Sequence, residues 1–206
     1  MTRTTKWILG GFLTLAGVSA VVTAAIAVDR GASARVAQVA RARRESRAER
    51  GRFLVNAMGC IDCHTPLQMG PNGPERDMSR HLSGHPEQLQ MPAAPTLPPG
   101  PWAFISAGTM TAWNGPWGTS YTANLTPDPE TGLGRWTEQQ FIDTIRTGRH
   151  LGRGRPILPP MPMPVLQTLP DEDLRAIFAH LRTLRPVHNR VPTPVPPPEP
   201  PRQASL

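Results

Sequence analysis

Cys60-Ile61-Asp62-Cys63-His64 is the stretch of this chain whose residue types and spacing name a chemistry. Two thiols three positions apart share one helical turn and a histidine follows at once; C-x-x-C-H is the pattern by which a c-type haem is covalently attached. Each thiol can add to a haem vinyl group, which leaves His64 aimed at the iron from the proximal side. Cys60 and Cys63 are the chain's two cysteines, so other uses of the thiols can be weighed directly. A thioredoxin-like redox pair needs βαβ surroundings, and this neighbourhood has no clear strand before it. A structural zinc site needs four closed ligands, and no second C-x-x-C is present to complete one.

A haem iron bound to His64 takes a sixth ligand for fast electron transfer, and a thioether sulfur is a common choice that raises the potential. Ile157-Leu158-Pro159-Pro160-Met161-Pro162-Met163-Pro164 offers one. Proline on both sides of Met161 restricts the backbone and removes donors, which fixes an extended loop able to hold one sulfur at the iron. Met161 is therefore the expected ligand. Met163 would point to the opposite face of such a loop. His81 and His85 would give bis-histidine ligation, His150 is a further candidate, and an open sixth site would suit a haem enzyme or a gas or redox sensor with a displaceable ligand.

The elements that must position these residues read as helices. From residue 42 the pattern is a helix leading into the motif, with Gly51, Phe53, Leu54 and Ala57 as its less polar positions. Thr137 to Gln140 has the form of a capping box, and Phe141, Ile142 and Ile145 form an apolar stripe that ends at Gly148. A last helix is expected from Asp171 to about Leu184, with Leu174, Ile177, Phe178 and Leu181 on one face and an acidic first turn that suits the helix dipole. It is expected to pack across the helix ending at the motif. The region from Thr65 to Leu133 shows no helical pattern and reads as a long loop wrapped over the haem edge. Trp102, Trp113, Trp117 and Tyr121 make it too aromatic for disorder.

The 206 residues include 26 Pro and 18 Gly, enough for one modest domain plus segments that cannot join a core. The net charge of +7 comes entirely from the start of the chain: residues 1 to 52 carry ten basic and three acidic side chains, and residues 53 to 206 carry twelve of each. A nucleic-acid binder should show a basic patch on its folded face, and none is evident. Trp7 to Val28 has no charged residue and, at about 1.5 Å per residue, can cross a hydrocarbon layer of about 30 Å. Ala25-Ile26-Ala27 offers a signal-peptide cleavage site, but the apolar run is longer than such peptides need, so a retained anchor is favoured. Arg30, Arg35, Arg41, Arg43, Arg44 and Arg47 follow the span, on the side opposite to that expected from the positive-inside rule if the haem lies outside the cytoplasm. Val191 to Pro201 is polyproline-like and reads as a flexible tail.

With Gly51-Arg52-Phe53-Leu54 before the motif, and a Met between prolines ahead of a helix that opens with Asp171-Glu172-Asp173, the chain resembles class I c-type cytochromes. Asn124-Leu125-Thr126-Pro127-Asp128, followed by Gly132-Leu133-Gly134-Arg135-Trp136-Thr137, resembles the cytochrome c subunits of periplasmic membrane-bound dehydrogenases over roughly residues 50 to 192. The resemblance implies a mostly α, class I cytochrome c-like domain around one covalently bound haem, with a long loop-rich insertion. With the apolar span read as an N-terminal transmembrane helix, the expected organisation is an anchor (or uncleaved signal) at 1–28, an Arg-rich linker helix at 29–49, the cytochrome domain at 50–190 and a Pro-rich flexible tail at 191–206. Asn124, Tyr121, Trp136 and Arg149 become candidates to reach the haem propionates or cover its edge. The second ring nitrogen of His64 should donate to a backbone carbonyl, sought near Pro71 or Pro74. The implied role is an electron carrier and not an enzyme, in the bacterial inner membrane with its haem domain in the periplasm. It would pass electrons from a dehydrogenase or quinol oxidoreductase to another cytochrome or an oxidase.

Overall fold

A computed structural model of the chain describes residues 33–95, 97–98 and 100–197. The expected membrane anchor lies outside the described residues, as do positions 198–206 of the Pro-rich segment. Among the described residues no helix is long and apolar enough to cross a membrane. The chain divides into two compact units, Met1–Ser46 and Arg47–Leu206. Helical backbone covers residues 33–57 (α1), and its part within the first unit is exposed throughout, with Arg41 and Glu45 paired one turn apart at 2.8 Å.

The second unit holds the end of α1 and then α2 (Cys60–His64), β1 (Leu67–Gly70), β2 (Gly73–Arg76), β3 (Ile105–Ser106), β4 (Ala112–Gly115), β5 (Gly118–Tyr121), α3 (Glu138–Thr147), α4 (Met163–Leu166) and α5 (Asp171–Leu181). The architecture is mixed. Besides the helices there is an antiparallel β1–β2 hairpin and a three-stranded antiparallel sheet in the order β3-β4-β5. The long region expected to be loop therefore contains all five strands. They span two to four residues each, too short for a period-two pattern to stand out in sequence. Both hairpins turn in two residues: Gly70 pairs with Gly73 across Pro71-Asn72, and Gly115 with Gly118 across Pro116-Trp117.

Helices α1, α3 and α5 meet in one core. Leu54 and Val55 from α1, Phe141, Ile142 and Ile145 from α3, and Leu174, Ile177, Phe178 and Leu181 from α5 are all buried together. The rings of Phe141 and Phe178 lie 5.4 Å apart. The capping box forms as expected: Gln140 N donates to Thr137 Oγ1 at 3.1 Å and Thr137 N to Gln140 Oε1 at 2.9 Å, and α3 ends at Gly148. The acidic first turn of α5 also anchors neighbouring helices, through Arg50 to Asp173 at 3.0 Å and Arg146 to Asp171 at 2.6 Å. Gly51 is where α1 and α5 approach most closely, since a Cβ there would collide with the Ala176 carbonyl.

Two buried side chains fasten the loops to this core. Asn189 Nδ2 donates to Ser83 O at 2.7 Å and His85 O at 2.9 Å, while its Oδ1 accepts from Glu87 N at 2.9 Å. His85 Nε2 donates to Leu89 O at 3.1 Å, which leaves Nδ1 to accept from the Thr111 hydroxyl at 2.9 Å. That arrangement needs neutral imidazole.

Two outcomes follow from this packing. Gly51→Ala gains up to about 1 kcal/mol of helix propensity, but overpacking costs about 1–3 kcal/mol. The obstructing atom is backbone and cannot swing away, so urea unfolding should show a less stable protein; an equal or more stable one would contradict the close crossing. Burial pushes His85 below its ordinary value of 6.5, partly opposed by its bond to Leu89, and burial likewise lowers His81 and His180. Their contribution to stability is intact above pH 6.5 and is lost as pH falls below it, because the unfolded chain then takes up protons that the folded chain refuses. The urea midpoint should therefore drop between about pH 7 and about pH 5, and His85→Gln should make that drop shallower.

Candidate functional site

Neither cysteine of α2 is in a disulfide. Burial, reinforced by the Asp62 carboxylate, pushes Cys60 up to about 11, and the same two causes raise Cys63. Both are thiols at neutral pH, the reverse of the lowered values that mark redox-active or nucleophilic cysteines. His64 is buried, and its Nδ1 lies 2.8 Å from the Ala123 carbonyl. A carbonyl can only accept, so Nδ1 carries the proton and Nε2 is left with a free lone pair. Burial lowers the His64 pKa, with the Ala123 bond opposing, which keeps the ring neutral and able to ligate.

The acceptor is thus Ala123, not a carbonyl near Pro71 or Pro74. Residues 67–76 are folded into the β1–β2 hairpin, and a different segment comes alongside the motif. Gly84 N donates to His64 O at 2.8 Å, His85 N to Thr122 O at 3.0 Å and Leu125 N to Leu82 O at 2.9 Å. Residues 82–85 so bridge the motif to residues 122–125.

Cys60, Cys63 and His64 line a cavity of about 620 Å³, within the range of sites that enclose a cofactor. Its apolar lining includes Leu125, Leu133, Phe141, Leu174 and Ile177, so the helical core itself forms part of the wall. Met161, nearly a hundred residues from the motif, lines the same cavity. Its loop is tied to β5, where the Ser120 hydroxyl donates to Pro159 O at 2.6 Å. Met163 is the first residue of α4 and is buried in the core. His85 is engaged as described and His81 Nδ1 lies 3.4 Å from the Thr65 hydroxyl; neither lines the cavity. His150 does, as an exposed residue whose ring meets Trp136 edge-on at 5.0 Å.

Of the four residues expected at the haem edge, Tyr121, Trp136 and Asn124 line the cavity and Arg149 does not, its guanidinium donating to Gly154 O at 3.0 Å. Asn124 has its polar atoms committed within the fold. Nδ2 donates to Val187 O at 2.8 Å and Oδ1 accepts from Thr126 N at 3.0 Å and from the Thr126 hydroxyl at 2.7 Å. Asn124 thereby fixes the segment that presents Ala123 to His64. Arg155, Arg190 and Trp113 also line the cavity; Trp113 belongs to the aromatic segment expected over the haem edge, whereas nothing in the sequence marks the two arginines. Trp113 Nε1 is buried without a hydrogen-bond partner. Two thiols, an imidazole nitrogen, a thioether and two arginines around an apolar space suit a flat apolar metal complex with anionic edges, which is the chemistry of haem. Among the described residues no three His, Cys, Asp or Glu side chains cluster, so a closed zinc site lacks its donors.

No family model matches the chain. A nicotinate dehydrogenase subunit of Pseudomonas putida is 39% identical over 82 residues, covering 39% of this chain and 7% of that protein. The cytochrome c subunit of the quinone-dependent alcohol dehydrogenase of Gluconobacter oxydans is 29% identical over 135 residues, covering 66% of this chain and 21% of that subunit. A diheme c-type cytochrome of Cereibacter sphaeroides is 32% identical over 136 residues, covering 65% of this chain and 34% of that protein. The chain spans no more than about a third of the length of these relatives. It resembles the cytochrome subunits of quinone-dependent alcohol, fructose and gluconate dehydrogenases.

Proposed function

We propose that this chain is an electron-transfer cytochrome with one haem c, tethered through Cys60 and Cys63 and ligated by His64 and Met161. The observation that carries the reading is that the C-x-x-C-H helix and the Pro-Met-Pro loop, remote in sequence, line one apolar cavity. A count of one rests on the single motif and the two cysteines. When bound, the haem supplies a one-electron Fe(III)/Fe(II) couple. The chain's residues set the terms of that couple. Ala123 fixes the His64 tautomer and raises the basicity of its Nε2. A thioether at Met161 and apolar walls favour the reduced state. Arg155 and Arg190, both lining the cavity, would offer cations to the cofactor's carboxylates.

The anchor at 1–28 would hold the domain of residues 50–190 on the periplasmic face of the inner membrane, with residues 29–49 as the spacer. Electrons would arrive from a dehydrogenase or quinol oxidoreductase and leave to another cytochrome or an oxidase. The names of the relatives support a dehydrogenase as the donor. Such encounters are small and transient.

Met161→Ala should abolish the long-wavelength sulfur-to-iron band of the oxidised protein and lower its potential. Ser120→Ala should keep the band while costing about 0.5–1.5 kcal/mol of stability, the usual worth of one hydrogen bond. A band unchanged in Met161→Ala would move the ligand elsewhere. Carbon monoxide binding to the wild type as readily as to that variant would replace the carrier with a sensor or enzyme.

A further inference from the structure

The Pro-rich segment after α5 reads in sequence as a free tail, but its described part is bound to the sheet and lines the cavity. β5 is an edge strand, and Val195 adds to its open side. Val195 N donates to Thr119 O at 2.9 Å and Thr119 N to Val195 O at 2.8 Å, an antiparallel bridge. Gly118, at φ 89°, is shaped for this contact, since a Cβ there would collide with the Val195 carbonyl and crowd the backbone of Pro196 and Pro197. At the other end, Arg190 N donates to the Glu87 carboxylate at 2.7 Å, next to the buried Asn189. Between these two clamps Arg190, Val191, Pro192 and Pro194 line the cavity that holds the C-x-x-C-H motif.

The composition suits the task. Proline restricts the unfolded chain, so seating the segment loses less entropy than seating flexible residues would. From Pro192 to Pro197 only Thr193 and Val195 keep a backbone N–H, and the Val195 group is used toward β5. The outer edge of the segment therefore has little with which to recruit another strand.

We propose that residues 190–197 are part of the cofactor site: a strap seated on β5 that forms one wall of the haem cavity and keeps water and small ligands from the iron. This rests on the haem reading above. A dry wall disfavours the more highly charged oxidised state, so the strap raises the potential as well as limiting access.

The test uses the full-length holoprotein and three variants: Val195→Pro, a chain ending at Asn189, and a control chain ending at Pro197. Val195 does not itself line the cavity, and its replacement by proline removes the N–H that seats the strap while keeping every lining side chain in the sequence. Covalent haem content, imidazole binding to the oxidised protein and midpoint potential are measured for each. Val195→Pro and the chain ending at Asn189 should bind imidazole several-fold faster and have lower potentials, and the control should match the wild type. If the chain ending at Asn189 fails to fold, Val195→Pro decides alone. Haem present with unchanged imidazole kinetics and potential in Val195→Pro overturns the strap; a wild type without covalent haem overturns the site reading and the strap with it.

Discussion

The hydrogen bond from His64 Nδ1 to the Ala123 carbonyl is the contact around which the site is built. It fixes which nitrogen of the ring can ligate a metal, and it joins the motif helix to a segment 59 residues away. That segment could not present its carbonyl alone. Asn124 and Thr126 hold it to the backbone at Val187, and Thr122 N donates to Thr111 O at 3.0 Å. Each such bond contributes about 0.5–1.5 kcal/mol net. Together they make the orientation of one imidazole a property of the whole second unit.

The same arrangement explains why β-structure occurs within a helical frame. α1, α3 and α5 bury their apolar stripes against each other and leave part of the core exposed to the cavity. The sheet supplies the remaining wall and acts on two loops at once. From β5, Ser120 holds Pro159 ahead of Met161, while the next residue back, Thr119, seats the C-terminal strap. Adjacent residues serve different partners because Thr119 uses its backbone edge and Ser120 its side chain.

The helices were legible because their ends leave local marks: the Thr137–Gln140 capping box, Gly148 and the acidic turn at Asp171 all fall where expected. α5 stops at Leu181, short of Leu184, within the usual uncertainty of a helix end. That C-x-x-C-H and Met161 line one cavity could be anticipated because the chemistry proposed for them constrains residue type and spacing. What depends on a contact between distant segments left no such mark. Ala123 as acceptor has no side-chain signature. In the run Arg149-His150-Leu151-Gly152-Arg153-Gly154-Arg155, which turns at Leu151 with φ 53°, Arg155 rather than Arg149 borders the cavity, and residue type alone does not distinguish the two. Trp113 stands out in sequence only as an aromatic residue in a loop, and its unpaired N–H exists only in the fold. Proline content suggested a free tail at residues 191–197 because the seating of the tail depends on a glycine and a strand edge elsewhere.

Everything proposed for the site depends on Cys60 and Cys63 carrying a haem. The direct measurement is the intact mass of the chain purified from a host able to attach c-type haem, after acid–acetone extraction, with mapping of the peptide that contains both cysteines. The expected mass is that of the unmodified chain plus one haem, with the whole increment on the peptide holding Cys60 and Cys63. An unmodified mass with both thiols free to alkylate would contradict it.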